Sequence, residues 1–257
     1  MDLTSAAWEI NPMKSKSTAS ILVGLLCAVL VRPLIASDDA GPAQASDLEG
    51  WNWLFDGKTL DGWKASENPD SFTVRDGMIV AHAQGTPIPD QASFPKSHLF
   101  YVGADGNASF TDFELEVDVK TEPNANGGIY FHTDYVQDNW PQTGFEVQVI
   151  NSPGAKRQTG SLYAVQDVSD PPVKDGEWFA VNLVVQGRRV VVKLQGQTVV
   201  DWTQPADFLP PTDKTWSDRR LSSGTFALQA HDPGSVVYYK NIRVRPSVSK
   251  SDHIHSE

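Results

Sequence analysis

The sequence predicts an all-β protein, and three observations support that prediction. Nearly every segment between residues 48 and 246 alternates apolar and polar side chains with a period of two, which is typical of strands that bury one face. No run of ten or more residues there shows a helical period. Short turn signals separate the segments. About a dozen such strands form a sandwich or a barrel, and about 200 residues suit a single domain.

The elements can be followed along the chain. Residues 72–75 and 78–82 flank Asp76-Gly77, a signal for a two-residue hairpin turn. The segment 113–119 alternates apolar residues with three acids, which predicts a charged outer surface. The remaining predicted strands are 126–132, 144–149, 178–185, 190–194, 198–202, 225–231 and 236–244. We expect one domain from 48 to 246, followed by a polar tail at 247–257.

The N-terminus is typical of a secretory signal peptide. Lys14 and Lys16 precede an apolar run at 21–31, and Ala36 supplies the small residue before cleavage. Met13 is an alternative start. We therefore expect a signal peptide at 1–36, a disordered linker at 37–47 and export to the periplasm or the extracellular space. The only cysteine, Cys27, lies within the apolar run, so the mature chain has no disulfide.

Two features of the sequence argue against nucleic-acid binding and against a membrane span in the mature chain. A formal net charge of −11 argues against nucleic acid, which is bound largely through Lys and Arg contacts to phosphates. The apolar run at 21–31 is too short for a comfortable membrane helix, so no membrane span is expected in the mature chain.

Three of the predicted strands carry an unusual outer face. Their apolar residues, such as Ile129, Val147 and Leu228, must face the core, which turns the intervening residues outward together. A single outward Glu, Gln or His is commonly just solvated, but here three strands supply a set rich in such residues. We predict that they converge on one groove: Tyr130, His132, Glu146, Gln148, Gln229 and His231.

Two loops add aromatic and cationic residues near these strands. Trp140 lies in the loop 134–143, and Lys156 and Arg157 precede Tyr163 in the next loop. Loops at the rims of sheets often carry binding residues. Flat rings beside amides and cations suit a polyhydroxylated sugar ring, so these four residues are predicted to bind substrate. For Trp140 the alternative is a rim residue that covers the core.

Other familiar site chemistries are absent from the sequence. There is no glycine-rich phosphate loop, no His-Glu-x-x-His zinc motif and no Gly-x-Ser-x-Gly elbow. Ordinary glycosidases use two carboxylates flanking the scissile bond. The predicted groove contains one, Glu146, which argues against that mechanism.

Several motifs fall in an order that resembles a known family. They are Leu54-Phe-Asp-Gly-Lys-Thr-Leu-Asp-Gly-Trp63, the Asp76-Gly77 turn, Asn126-Gly-Gly-Ile-Tyr-Phe131, Gly144-Phe-Glu-Val-Gln148, Thr159-Gly-Ser-Leu-Tyr163, Gly176-Glu-Trp178, Leu228-Gln-Ala-His231 and Lys240-Asn-Ile-Arg-Val244. Together they resemble the 3-keto-disaccharide hydrolase or 3-keto-glucoside lyase/hydratase domain, formerly DUF1080, over nearly the whole mature chain. The resemblance implies a single-domain, concanavalin A-like jelly-roll β-sandwich. Two positions depart from the expected motif, with Gly127 in place of Ser and His132 in place of Arg.

The resemblance also implies a reaction. A ketone at C3 acidifies the C2 proton of a glucoside, so one base can start elimination of the C1 substituent, and water can then add. Glu146 is predicted as the base or a metal ligand, and His231 and His132 as groups for proton transfer or oxyanion stabilisation. If a divalent metal takes part, these three residues are its expected ligands. A partner oxidoreductase must supply the ketone.

The residues leave other classes of function open. A non-catalytic carbohydrate-binding module would use Trp140 and Tyr163 to hold a glycan without turnover. A structural envelope protein would use the same face for protein contacts. Removal of the C2 proton separates the enzyme from both alternatives.

Overall fold

The protein is a β-sandwich of two antiparallel sheets. In the computed structural model, residues 50–84, 96–210 and 218–247 are described. The predicted signal peptide (1–36), the linker (37–47) and residues 248–257 of the tail lie outside these ranges. Within them the only helix is a 3-10 turn at Pro69–Ser71, and the all-β prediction is confirmed.

The described residues form thirteen strands. In chain order these are β1 (Asn52–Trp53), β2 (Trp63–Ala65), β3 (Phe72–Arg75), β4 (Met78–His82), β5 (Ser97–Tyr101), β6 (Phe113–Thr121), β7 (Asn126–Thr133), β8 (Phe145–Ile150), β9 (Phe179–Gln186), β10 (Arg189–Leu194), β11 (Gln197–Thr203), β12 (Thr225–Ala230) and β13 (Val236–Pro246). A search of the described residues for a helix long and apolar enough to span a membrane found none.

The larger sheet has the strand order β11-β10-β9-β6-β13-β4-β3, with β1 paired to β13. Its alternation behaves as the sequence predicts. On β6, Phe113 and Val119 are fully buried, whereas Glu116 lies on the outer face and accepts a hydrogen bond from Arg243 at 2.7 Å. This sheet therefore has one dry face and one charged face.

The smaller sheet has the order β2-β5-β12-β7-β8 and is buried on both faces. Its inner face meets the larger sheet through an aromatic cluster, in which the ring of Phe226 lies 4.9 Å from that of Phe113 and 4.7 Å from that of Phe110. Each fully buried Phe stabilises the fold by about 1.5–3 kcal/mol. This packing anchors the smaller sheet to the larger one through its inner face.

The outer face of the smaller sheet differs from the open groove expected from sequence. Glu146 and Gln229 are only 3% and 1% exposed. The segment that carries Tyr163 pairs along the free edge of β8, where the Tyr163 N–H donates to the Glu146 carbonyl at 2.9 Å. Loops thus cover a face that the two-residue period alone would assign to solvent.

Candidate active site

A cavity of about 390 Å³ lies on the outer face of the smaller sheet. Its size falls in the usual range for small-molecule sites. It is lined by Asn126, Tyr130, Trp140, Glu146, Gln148, Ile150, Ala155, Lys156, Arg157, Tyr163, Gln229 and His231. All of the predicted site residues except His132 are among them.

The floor of the cavity follows from the strand register. Gln148 on β8 lies opposite Gly128 on β7, and Gln229 on β12 lies opposite His98 on β5. Tyr130 and Glu146 face each other across β7 and β8. Cross-strand neighbours on one face are close enough to interact. The register therefore gathers polar groups from four adjacent strands into one layer.

Gly128 makes room for Glu146. A Cβ atom at position 128 would lie 2.3 Å from Glu146 Oε1, which is much shorter than a van der Waals contact. The absence of a side chain lets the carboxyl group lean across β7 towards Gln229, whose Nε2 donates to Oε1 at 3.3 Å. The space needed by the Glu146 carboxyl therefore explains why the second residue after Asn126 is glycine.

Burial dominates the ionisation of Glu146. It raises the pKa of this carboxyl to about 7, although the Arg219 charge and hydrogen bonds from Tyr130 and Gln229 act in the opposite direction. The Tyr130 hydroxyl accepts from Gln229 Nε2 at 3.0 Å. Glu146 can therefore both take up and release a proton near neutral pH.

Arg219 is a functional candidate that the sequence did not reveal. Its side chain is buried, with one guanidinium nitrogen 3.9 Å from Glu146 Oε2. The guanidinium carbon lies 5.9 Å from the ring centres of both Tyr130 and Tyr163. Arg219 belongs to a loop with no periodic pattern, so only the tertiary fold brings it beneath the cavity. The Arg219-Arg220 pair was its only sequence signal.

His231 stands at the edge of the floor with an acidic partner. Its Nδ1 lies 2.7 Å from Asp232 Oδ2. Asp232 also accepts hydrogen bonds from the Ser235 hydroxyl and the Gly234 N–H, both at 2.8 Å. Burial raises the pKa of Asp232, but the bonds from His231, Ser235 and Gly234 outweigh it and leave the pKa below its usual value. Asp232 is not among the site residues predicted from the sequence.

The cavity walls come from the two predicted loops. The Trp140 ring lies 5.6 Å from that of His231 and 5.3 Å from that of His98. On the other side, the Arg157 guanidinium lies 4.6 Å from the Tyr163 ring centre and 3.1 Å from Asp167. Lys156 is exposed at the rim. The walls offer aromatic faces and cations around a polar floor.

His132 does not reach the cavity, and its predicted place beside Glu146 is wrong. Three steps along β7, from Tyr130 to Thr133, match two steps along β12, so β7 contains a bulge. His132 has a φ of 55° within it. Its Nε2 donates to the Thr111 carbonyl at 2.8 Å, and its Nδ1 accepts from the Ser222 N–H at 3.2 Å. The His132 ring therefore bridges the loops that contain Thr111 and Ser222 and does not face the cavity.

The predicted metal ligands are therefore not assembled. Both ring nitrogens of His132 are engaged with backbone groups, so the ring cannot join Glu146 and His231 around one ion in this arrangement. In the part of the chain that the structure describes, no group of three or more His, Cys, Asp or Glu residues has a geometry that could hold a metal.

His98 lies beneath the cavity wall, packed at 5.2 Å from the ring of Tyr130. Among residues 50–84, 96–210 and 218–247, neither of its ring nitrogens has a hydrogen-bond partner. Burial, with smaller contributions from Lys96 and His231, lowers its pKa to about 3. His98 is therefore a neutral aromatic support and not a proton carrier near neutral pH.

A family model described as the 3-keto-alpha-glucoside-1,2-lyase-like domain matches residues 50–245. The chain belongs to this family. The match spans both sheets and every residue of the cavity.

Individual relatives agree with that assignment. A 3-keto-disaccharide hydrolase of Bacteroides thetaiotaomicron is 25% identical over 238 residues, covering 77% of this chain and 79% of the relative. A solved structure of a candidate glycosyl hydrolase from Parabacteroides distasonis aligns with a TM-score of 0.62 at 22% identity, covering 80% of this chain and 98% of its own. A second from the same organism gives 0.54 at 22% identity, covering 77% and 99%. The two solved structures support the predicted jelly-roll fold.

The first departure from the family motif has a packing reason in this member. A Cβ atom at Gly127 would lie 3.0 Å from Val237 Cγ2 and 3.1 Å from the Tyr239 hydroxyl. Tyr239 is fully buried on the core side of β7. The core of this chain is therefore filled at the point where the expected motif has Ser.

Proposed function

We propose that this chain is a sugar-cleaving enzyme that acts on 3-keto-glucosides by elimination across C1 and C2, with net hydrolysis when water then adds. Two findings support the proposal. The chain belongs to the 3-keto-alpha-glucoside-1,2-lyase-like family, and a relative of similar length is a 3-keto-disaccharide hydrolase.

The composition of the cavity supports elimination as the mechanism. Among the described residues that line the cavity, Glu146 is the only carboxylate, and burial raises its pKa to about 7. Conventional glycoside hydrolysis requires two carboxyl groups at the bond. Abstraction of an acidified C2 proton requires one base whose pKa is near the working pH. The site fits the second requirement.

The proposed reaction has three steps. Glu146 takes the C2 proton, and the electrons of that bond form an enediolate with the C3 carbonyl. The enediolate expels the C1 oxygen, which forms a C1–C2 double bond and leaves an unsaturated 3-keto sugar. Addition of water, with hydroxide to C1 and a proton to C2, completes hydrolysis. Where release precedes water addition, the enzyme acts as a lyase.

Other cavity residues have roles that follow from their chemistry. In its protonated form His231 supplies a proton from Nε2 to the departing C1 oxygen, and in its neutral form Nε2 takes a proton back from the water that adds. Tyr130 and Gln229 hydrogen-bond to the Glu146 carboxylate. Once Glu146 has taken the C2 proton, these donors can turn to the charge that develops on the C3 oxygen. Tyr163 and Trp140 offer flat faces to the sugar ring, and Lys156 and Arg157 also line the cavity as candidate substrate-binding residues.

The test is product analysis with a matched pair of substrates. Purified protein is incubated with a 3-keto-disaccharide and with the same disaccharide before oxidation. We expect release of the second sugar from the ketone alone, with the unsaturated keto sugar as an intermediate or a product. Binding of either substrate without any product would instead identify a carbohydrate-binding module, and the enzyme proposal would be rejected.

The ketone requirement implies a partner oxidoreductase that oxidises a glucoside at C3. Adding such an enzyme and its electron acceptor to the unoxidised disaccharide should restore product formation. Turnover of the unoxidised disaccharide by this chain alone would contradict the need for a partner.

We also propose that the protein is exported, on the basis of the basic residues and the apolar run at the N-terminus. Expression of the full sequence in a bacterial host, followed by N-terminal sequencing, should give a mature chain that begins at Ser37. Recovery of the uncleaved chain in the cytoplasm would contradict export.

A further inference from the structure

The hydrogen bonds around His231 decide which of its nitrogens can exchange protons with a substrate. Ser235 Oγ accepts the Asn126 N–H at 2.8 Å, so its own proton is directed to Asp232 Oδ2, also at 2.8 Å. The Gly234 N–H donates to Oδ1 at 2.8 Å. A carboxylate that receives such donors is held in its ionised form, which accepts hydrogen bonds only.

An ionised Asp232 dictates the tautomer of its neighbour. Because Oδ2 can only accept, the contact at 2.7 Å requires a hydrogen on Nδ1 of His231. Neutral imidazole carries one N–H, so its lone pair then belongs to Nε2. His231 lines the cavity, and Nε2 is the nitrogen that Asp232 leaves available there.

The arrangement is anchored beyond the pair itself. Asn126, at the start of β7, also accepts a hydrogen bond from Gln148 Nε2 on its side-chain oxygen, at 2.6 Å. The turn that holds Asp232 is thereby tied through Ser235 and Asn126 to the cavity floor. A chain of hydrogen bonds connects Gln148 at one side of the floor to His231 at the other.

We propose that Asp232 is a positioning residue: it holds His231 in the Nδ1–H tautomer and presents Nε2 to the substrate for proton transfer. The proposal deepens the function proposed above and rests on it for the identity of the reaction. A carboxylate that orients a histidine is a recurrent device for this purpose. The ordinary alternative is that Asp232 only stabilises the turn through its bond with the Gly234 N–H.

The substitution Asp232→Asn separates the two roles. The side-chain oxygen can still accept the Gly234 N–H, so the turn contact is retained. The new amide group takes the place of Oδ2 and donates to Nδ1, which forces the hydrogen onto Nε2. The control is Ser235→Ala, which removes one supporting bond but leaves the carboxylate beside His231.

The readout is nitrogen-15 NMR of protein with labelled histidines, with the His231 signals identified by their loss in His231→Gln. We expect Nδ1–H in the wild type and in Ser235→Ala, and Nε2–H in Asp232→Asn. A wild-type ring protonated on Nε2, or an unchanged tautomer in Asp232→Asn, would overturn the proposal. This readout needs no substrate, so it holds or fails independently of the proposed reaction.

The kinetic measurement on a 3-keto-disaccharide follows the same logic. For Asp232→Asn we expect kcat to fall by at least about 100-fold with KM changed by less than about threefold, because proton transfer and not binding is affected. If Asp232 only supports the turn, a contact that Asp232→Asn retains, kcat stays within about threefold of the wild type, and that result would overturn the proposal. Absence of turnover in the wild type would reject the proposed function and leave the tautomer result standing.

Discussion

Glu146 owes its chemistry to where it is buried. An exposed glutamate would be fully ionised at neutral pH and weakly basic, but this carboxyl lies in a layer of neutral polar groups beneath a cavity. Desolvation disfavours its charge more strongly than Arg219, Tyr130 and Gln229 favour it. The result is a base matched to neutral pH without a second carboxylate.

The pH dependence of turnover tests this account of Glu146. The base must be ionised, and its pKa is raised to about 7, so activity is present above that pH and lost below it. We expect kcat/KM on a 3-keto-disaccharide to fall about tenfold per pH unit as the pH drops below 7. A profile that is flat between pH 5 and pH 8 would show that Glu146 is not the group that titrates.

Arg219 provides a matched variant for that profile. Its charge favours the ionised form of Glu146, so Arg219→Met should move the acidic limb of kcat/KM to higher pH. A shift to lower pH, or none in a folded variant, would contradict the electrostatic coupling across the 3.9 Å contact.

The lowered pKa of His98 predicts that the folded protein loses stability in acid. Its folded pKa is about 3 and its ordinary value is 6.5. Well above pH 6.5 the ring is neutral in both the folded and the unfolded chain, so it does not change the free energy of unfolding. As the pH falls from 6.5 towards 3, the unfolded chain binds a proton that the folded chain cannot, so stability is lost.

The measurement compares the free energy of unfolding of wild type and His98→Phe at pH 8 and at pH 5. Between these values His98 should contribute about 2 kcal/mol of lost stability, which the variant should not show. Any constant packing effect of Phe cancels in the difference between the two pH values. Equal pH dependence in both proteins would mean that His98 titrates normally in the fold.

Among individual residues, the sequence predicted those that gather at the cavity except for His132, which was wrongly included, but it did not predict all of their partners. Tyr130, Glu146, Gln148 and Gln229 could be predicted because each alternates with core residues on its strand. Arg219 lies in an aperiodic loop, and Asp232 in a turn, so no local pattern marks either. Their positions depend on contacts between elements distant in the chain.

At the scale of elements, β7 shows how one strand serves both core and site. Its two glycines face opposite sides: a Cβ at Gly127 would meet Val237 and Tyr239 of the core, and one at Gly128 would meet Glu146 of the cavity. The bulge at His132 then ends the alternation that set the earlier residues. Periodicity predicted the strand, but a bulge is a tertiary feature that periodicity does not show.

Alanine substitutions at the two glycines should separate these roles. Gly128→Ala places a methyl group within 2.3 Å of Glu146 Oε1, so we expect the carboxyl to move and kcat to fall by about 100-fold, with a melting temperature close to the wild type. Gly127→Ala crowds the core and should lower the melting temperature more than it lowers kcat. The reverse pattern would contradict the assigned faces of β7.

Three strands, β1, β2 and β5, were not predicted from the sequence, and their length and burial explain why. The strand β5 is buried at four of its five positions, so Ser97, His98, Leu99 and Phe100 show no alternation. A short run of that kind cannot be distinguished from a loop by its period. The strands β1 and β2 have only two and three residues, too few to show any period.

For the whole molecule, the two sheets have different tasks. The larger sheet keeps a charged face towards solvent, as its alternating pattern predicts, and its other face completes the core. The smaller sheet presents polar residues under loops that close a cavity of about 390 Å³. The all-β class and the outward direction of the polar residues on three strands follow from the period of two, whereas the convergence of these strands depends on the order β12-β7-β8. The covering of the site depends on loops whose course no local pattern specifies.

The central claim is that this cavity removes the C2 proton of a 3-keto sugar through Glu146. The most direct measurement is the loss of the H2 signal of a methyl 3-keto-glucoside in deuterated water, followed by proton NMR for wild type and Glu146→Gln, with binding of the sugar measured in parallel. We predict exchange by the wild type above the buffer rate, a decrease of about 10²- to 10⁴-fold in Glu146→Gln, and binding within about threefold. Exchange at the wild-type rate in Glu146→Gln, or at the buffer rate alone in the wild type, would contradict the claim.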